Sequence, residues 1–290
     1  MSEFVQFCFS GLTVGAIYAS VALGFTLIYN ASGVINFSQG EFVVIGGMTT
    51  AVLIASGVPI WLAAPIAIIA AVIAGMTLYK LAIEPARGAP LVTLIIITIG
   101  ASIFLRGLMQ TVFDKQIHRY EGFSGEQSIA IFGAALLPQS IWILGGSLVV
   151  FVLLVWFLSR TKAGNAIRAT SSDILAAKLA GINTNSTMML AFALSAATGA
   201  LAGVLATPVT FTSYDAGVLM ALKGFAAMML GGVGSPAGAL IGGILIGLIE
   251  AFTAGYISSD YKDAAAFLVI FLVLFFMPGG LFGMVRVERV

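Results

Sequence analysis

Cysteine and histidine each occur once in 290 residues, as Cys8 and His118. No intrachain disulfide is therefore available, and Cys and His spacing cannot build a metal site. A Ser-His-Asp arrangement would depend on His118 alone, and nothing in the sequence around it suggests one. Charge is almost as scarce, with 13 Lys and Arg, 12 Asp and Glu, and a net charge of +1. That balance gives no sign of a nucleic-acid partner. The phosphate-cradling pattern Gly-x-x-x-x-Gly-Lys-Ser/Thr is missing too: Gly231-Gly232-Val233-Gly234-Ser235-Pro236 is rich in glycine but lacks the lysine. A membrane-embedded hydrolase would need paired carboxylates, and Asp260 with Asp263, beside Lys262, reads as a loop. The chain is expected to hydrolyse nothing and to hold no cofactor of its own.

Apolar residues fill the space that charge leaves. They make up 60% of the chain against 9% charged, where a soluble domain carries about 25% charged residues. Runs near 20 apolar residues recur, so the fold class is all-α: a polytopic helical membrane bundle. Spans are expected near 4–29, 42–55, 60–79, 91–109, 139–158, 186–206 and 264–277, with two shorter helices over 225–250. That gives about eight or nine crossings, some broken or re-entrant, in one domain over 1–290. The start, Met1-Ser2-Glu3-Phe4, lacks a basic n-region and enters a run too long for a signal peptide, so the first span should be retained.

Polar residues inside this pattern carry the information. Asn30 to Phe42 is broken by glycine and small polar residues, and Glu41 enters the next apolar run directly. An ionisable group at that depth costs roughly 2.5–3.5 kcal/mol, so it should face a cavity or a partner. Asn36, Gln39 and Glu41 are candidates for a translocation path, with Glu250, which should end the second glycine-rich helix. A polar turn at the membrane face is the alternative. Arg106 lies near the end of its span, where snorkelling outward is preferred to a clamp on a substrate carboxylate. Gly234, Gly238 and Gly242 recur every fourth residue and should give a helix face for close packing, preferred to direct substrate contact.

The segment 159–185 is a polar island carrying Arg160, Lys162, Arg168 and Lys178, which places it on the cytoplasmic side. It reads as a short helix capped by Ser171 or Ser172, with Asp173 at its positive end, an apolar stripe of Leu175, Leu179 and Ile182, and a stop at Gly181. Such a helix either lies on the bilayer or docks into another protein's groove. The basic residues Lys80, Arg87, Arg286 and Arg289 mark further cytoplasmic candidates. Residues 110–138, with charges of both signs, suit an outer surface that could receive a soluble protein.

Four stretches resemble one family. The run Gly164 to Asn183, the signature Ile35-Asn36-Phe37-Ser38-Gln39-Gly40-Glu41, the glycine-rich 231–243 and the ending Pro278-Gly279-Gly280-Leu281-Phe282-Gly283 look like binding-protein-dependent ABC permeases of the branched-chain amino-acid type. The resemblance implies an inner-membrane importer subunit for leucine, isoleucine and valine. Its partners would be a second homologous permease, two ATP-binding subunits holding Mg-ATP, and a periplasmic or lipid-tethered binding protein. It also implies that 159–185 couples to the ATPase, through Arg168, Asp173, Ala176, Ala177 and Gly181. Urea, short amides or other amino acids remain open as substrates. A secondary transporter or channel would need inverted repeats or more intramembrane charge than Glu41, Arg106 and Glu250 offer.

Overall fold

The computed structural model describes residues 2–131 and 133–282. Eleven α-helices make up most of that chain: α1 (Ser2–Ser32), α2 (Gln39–Ala55), α3 (Ile60–Leu78), α4 (Leu91–Val112), α5 (Pro138–Arg160), α6 (Lys162–Ser172), α7 (Ile174–Leu179), α8 (Thr184–Thr210), α9 (Ala216–Gly231), α10 (Pro236–Tyr256) and α11 (Lys262–Phe276). Six of them, α1, α3, α4, α5, α8 and α10, are long and apolar enough to cross a membrane. A small antiparallel hairpin, β1 (Ile129–Ile131) and β2 (Ala134–Leu136), interrupts the polar connection before α5. The tail with Arg286 and Arg289 lies outside the described residues, as does Gly283.

Helix α1 is the axis of the bundle. Its most apolar window is 89% buried, and α5, α8, α9 and α10 all lie against it. Backbone approach is what makes this possible. Gly11 and Gly15 of α1 meet Gly247, Leu248 and Ile244 of α10, and Gly243 sits on the Ala19 backbone. At these glycines the two backbones touch directly, so dispersion contacts replace the missing hydrophobic drive in lipid. The outer helices bury one stripe each. Ala63, Ala67, Ala71 and Gly75 line the inner face of α3 at every fourth residue. Ser140, Ile143, Ser147, Val150, Leu154 and Leu158 do the same for α5, while Leu148, Val149, Val152 and Trp156 point outward.

The bundle has two distinct ends. At one, Gln6 exchanges two hydrogen bonds with Ala135 of the hairpin (3.1 and 2.8 Å), and His118 pairs with Thr212. At the other, Asn30 donates to the Gly234 carbonyl (2.9 Å), and Asn185 donates to Glu84 (2.7 Å). The second end therefore gathers the loop after α3, the turn between α9 and α10, and the polar island.

Several expected boundaries shift. Helix α8 runs through Pro208 to Thr210, past the expected end near 206, and α9 begins at Ala216, ahead of the helices expected over 225–250. Glu250 does not end its helix, because α10 continues to Tyr256. Gly234 lies in the turn before α10 with φ +85°, so only Gly238 and Gly242 of the expected stripe are helical. Those two rest on the backbone of Gly231 and Ala227 in α9, and the glycines facing α1 are Gly243 and Gly247.

Candidate functional site

The break between α1 and α2 sits at mid-depth. Gln39, the first residue of α2, packs beside Gly24, about two turns before the end of α1, and Ser195 near the middle of α8. Both ends of its amide are engaged: Nε2 donates to the Ser195 carbonyl (3.1 Å), and Oε1 accepts from Ser195 Oγ (2.5 Å). Asn36 is buried, and its Oδ1 accepts from the Ser38 amide (3.1 Å) while its Nδ2 has no partner. Ser38 Oγ donates to the Thr98 carbonyl (2.7 Å), and the Phe37 amide donates to Thr98 Oγ1 (3.2 Å), which fastens α4 to the break.

Glu41 stands in the first turn of α2, where the helix dipole favours an anion. It is 1% exposed; Oε1 accepts from Ser102 Oγ (2.8 Å) and from Arg106 (3.2 Å). Arg106 is thus turned inward onto a carboxylate, which corrects the expectation that it snorkels outward. The pairing follows from depth: with few polar atoms nearby, a guanidinium gains more from a fixed anion than from a distant interface. Glu41 Oε2 and Arg106 Nε remain without partners.

Glu250 belongs to a different cluster. Tyr18 of α1 donates to Glu250 Oε2 (2.8 Å), and Lys223 of α9 lies 2.9 Å from Glu250 Oε1 and 2.7 Å from Asp263 of α11. Four helices meet there through one ammonium group. The sequence marks Glu250 only as a helix end and does not bring Lys223 to it. The usable signal was that a Lys and a Glu, each in an apolar helix, both need an opposite charge.

The polar island forms two helices rather than one. Thr161 caps α6 by accepting from the Gly164 amide (2.9 Å), and Gly164 lies directly on the α5 backbone at Phe157 and Leu158. Ile167 is buried among the core residues, so α6 is docked to the bundle. Ser171 and Ser172 close α6 instead of capping anything. Asp173 caps α7, accepting from the Leu175 and Ala176 amides (2.8 and 3.0 Å). Gly181, at φ +82°, ends α7: its own amide reaches the Lys178 carbonyl, and the Ile182 amide reaches Ala177 (both 3.0 Å). Arg168 bonds Asn165 (2.5 Å) and does not meet Asp173. Ala177 is buried under α7, Ala176 is exposed, and Leu175 and Leu179 stand out at 67% and 83% exposure. One turn apart, they make an apolar knob on a charged segment.

A bundle of long apolar helices, broken at mid-depth around an ion pair and carrying a polar helical segment at one end, is the build of a multi-pass membrane permease. The family described as "Branched-chain amino acid transport system / permease component" matches residues 7–276. The LivH high-affinity branched-chain amino acid permease protein of Salmonella typhimurium is 34% identical, over 99% of this chain and 98% of its own. The BraD permease protein of Pseudomonas aeruginosa is 35% identical over the same shares. The ribose import permease RbsC of Haemophilus influenzae is 28% identical, over 89% of this chain and 81% of its own. The chain belongs to the branched-chain amino acid transport permease family and acts as a permease component of an ABC transport system.

Proposed function

We propose that this subunit forms one half of the path by which leucine, isoleucine and valine enter across a bacterial inner membrane. A second homologous permease supplies the other half, two ATP-binding subunits hold Mg-ATP below, and a periplasmic or lipid-tethered binding protein delivers substrate above. The observation that carries this reading is the near full-length similarity to LivH and BraD, at 34% and 35% identity. Asn36, Gln39 and Glu41 line the path at the α1–α2 break. Glu250 tethers helices instead, because Lys223 and Tyr18 already occupy its carboxylate.

Segment 159–185 is the coupling element in this scheme. Helix α6 is fixed to α5 through Gly164, while α7 offers Leu175 and Leu179 to a groove of the ATPase. Closure of the ATPase dimer pushes α7, α6 transmits the push to α5 and α1, and the tightly packed helices rock as units.

Purified permease pair, ATPases and binding protein in liposomes should take up labelled leucine only when Mg-ATP is present. Uptake of urea, a short amide or another amino acid in place of leucine would withdraw the branched-chain assignment and leave the permease role standing. Asp173→Ala removes the cap of α7, worth about 1 kcal/mol locally. With Arg168→Ala, it should leave membrane insertion intact and lower leucine delivered per ATP hydrolysed several-fold. Normal stoichiometry in both variants would withdraw these two assignments.

A further inference from the structure

We propose that Glu41 and Arg106 together form a receiving site for the zwitterionic head of an aliphatic α-amino acid, the carboxylate going to Arg106 and the ammonium to Glu41. This rests on the importer reading above and assigns its substrate-contacting groups. Three observations point to a ligand rather than to a fastening alone.

The first is unspent bonding capacity. A guanidinium and a carboxylate pair best through two parallel bonds. Here one Arg106 nitrogen meets one Glu41 oxygen at 3.2 Å, while Arg106 Nε and Glu41 Oε2 are buried without partners. Buried polar atoms left unpaired are rare and call for an explanation.

The second is space of the right character. A chamber of about 130 Å³ is lined by Ile99, Ser102, Ile103 and Arg106 from one face of α4, with Phe37 and Leu222, and Glu41 is bonded to both Ser102 and Arg106. A charged head beside an apolar wall suits a small molecule with a zwitterionic end and a branched hydrocarbon end.

The third is charge balance. The resident pair is neutral and so is an amino-acid zwitterion. Binding exchanges one ion pair for two and never leaves a bare charge in the low-dielectric interior. A lone cation or anion entering the same site would strand one resident charge.

A purely structural pair would hold α4 in place and take no part in transport. The two roles separate in the full complex with Cys8→Ala as background and Ser102→Cys as reporter, without binding protein. L-leucine should slow labelling of residue 102 by an anionic methanethiosulfonate at least threefold. Leucinamide and isovalerate, each carrying one charge, should protect far less, and adding Arg106→Gln should abolish the leucine effect. Ile103→Cys, on the same chamber wall, replaces the reporter if the first does not assemble. Equal labelling with and without leucine, or equal protection by either half-molecule, overturns the proposal. ATP-driven leucine uptake by the unmodified complex is measured alongside. Its absence would refute the importer reading, whereas uptake without protection would refute this site alone.

Discussion

Gly247→Leu should abolish recovery of the folded permease. Gly247 faces Gly15 and Gly11 of α1, and a Cβ added there would overlap the Gly15 amide and the Gly11 carbonyl oxygen. Overpacking in a core usually costs about 1–3 kcal/mol because side chains can shift. Here the opposing atoms are backbone in two regular helices, so the only relief is separation of α1 from α10. Every other helix that packs on α1 would then lose its reference surface. We expect the monodisperse peak of the detergent-solubilised complex to fall more than tenfold. Gly107→Leu is the control, since no atom lies within 4 Å of a Cβ at that position in α4. A Gly247→Leu protein as abundant and monodisperse as the control would show that the glycine contact does not hold the bundle.

Lys223→Met should be the next most damaging change. It removes the single cation shared by Glu250, which is 5% exposed, and Asp263. Breaking a buried ion pair from one side costs about 3–5 kcal/mol, since the remaining charge stays desolvated. The variant should therefore melt well below the unmodified protein in detergent. Adding Glu250→Gln removes the stranded anion while keeping its shape and its bond from Tyr18, and should restore much of the lost stability. A double variant no better than the single one would mean that Lys223 acts through packing of its stem and not through its charge.

Much of this fold could be read from the residues because lipid imposes a simple rule. Apolar runs near 20 residues have to be helices, and glycines at helical spacing have to meet a neighbour. The span over α5 and the Gly181 stop followed from the apolar run and from backbone chemistry. Which apolar face turned inward did not. Helices α1 and α4 are both long and mostly apolar, yet α1 is 89% and α4 17% buried over comparable windows. In water that contrast would leave a trace in the pattern, but lipid and protein core reward the same side chains. Partnerships across helices were hidden for the same reason. Arg106 at the end of a run looks like a snorkel until Glu41, 65 positions away, is brought beside it. Glu250 likewise looked like a helix end, because its partners Tyr18 and Lys223 lie on two other helices. The polar island was legible as a segment, but its division at Asp173 was not. An aspartate that closes one helix and caps the next looks the same as one inside a single capped helix.

The claim on which the importer account turns is that α7 is held by an ATP-binding subunit. A cysteine at Leu179, the most exposed apolar residue of α7 at 83%, in a Cys8→Ala background gives a single reactive site for a short crosslinker in the native membrane. The account predicts one dominant adduct, with the ATPase, whose yield changes when nucleotide is added. Capture of no ATPase, or modification of residue 179 by a membrane-impermeant reagent added to the outer face of intact cells, would contradict it.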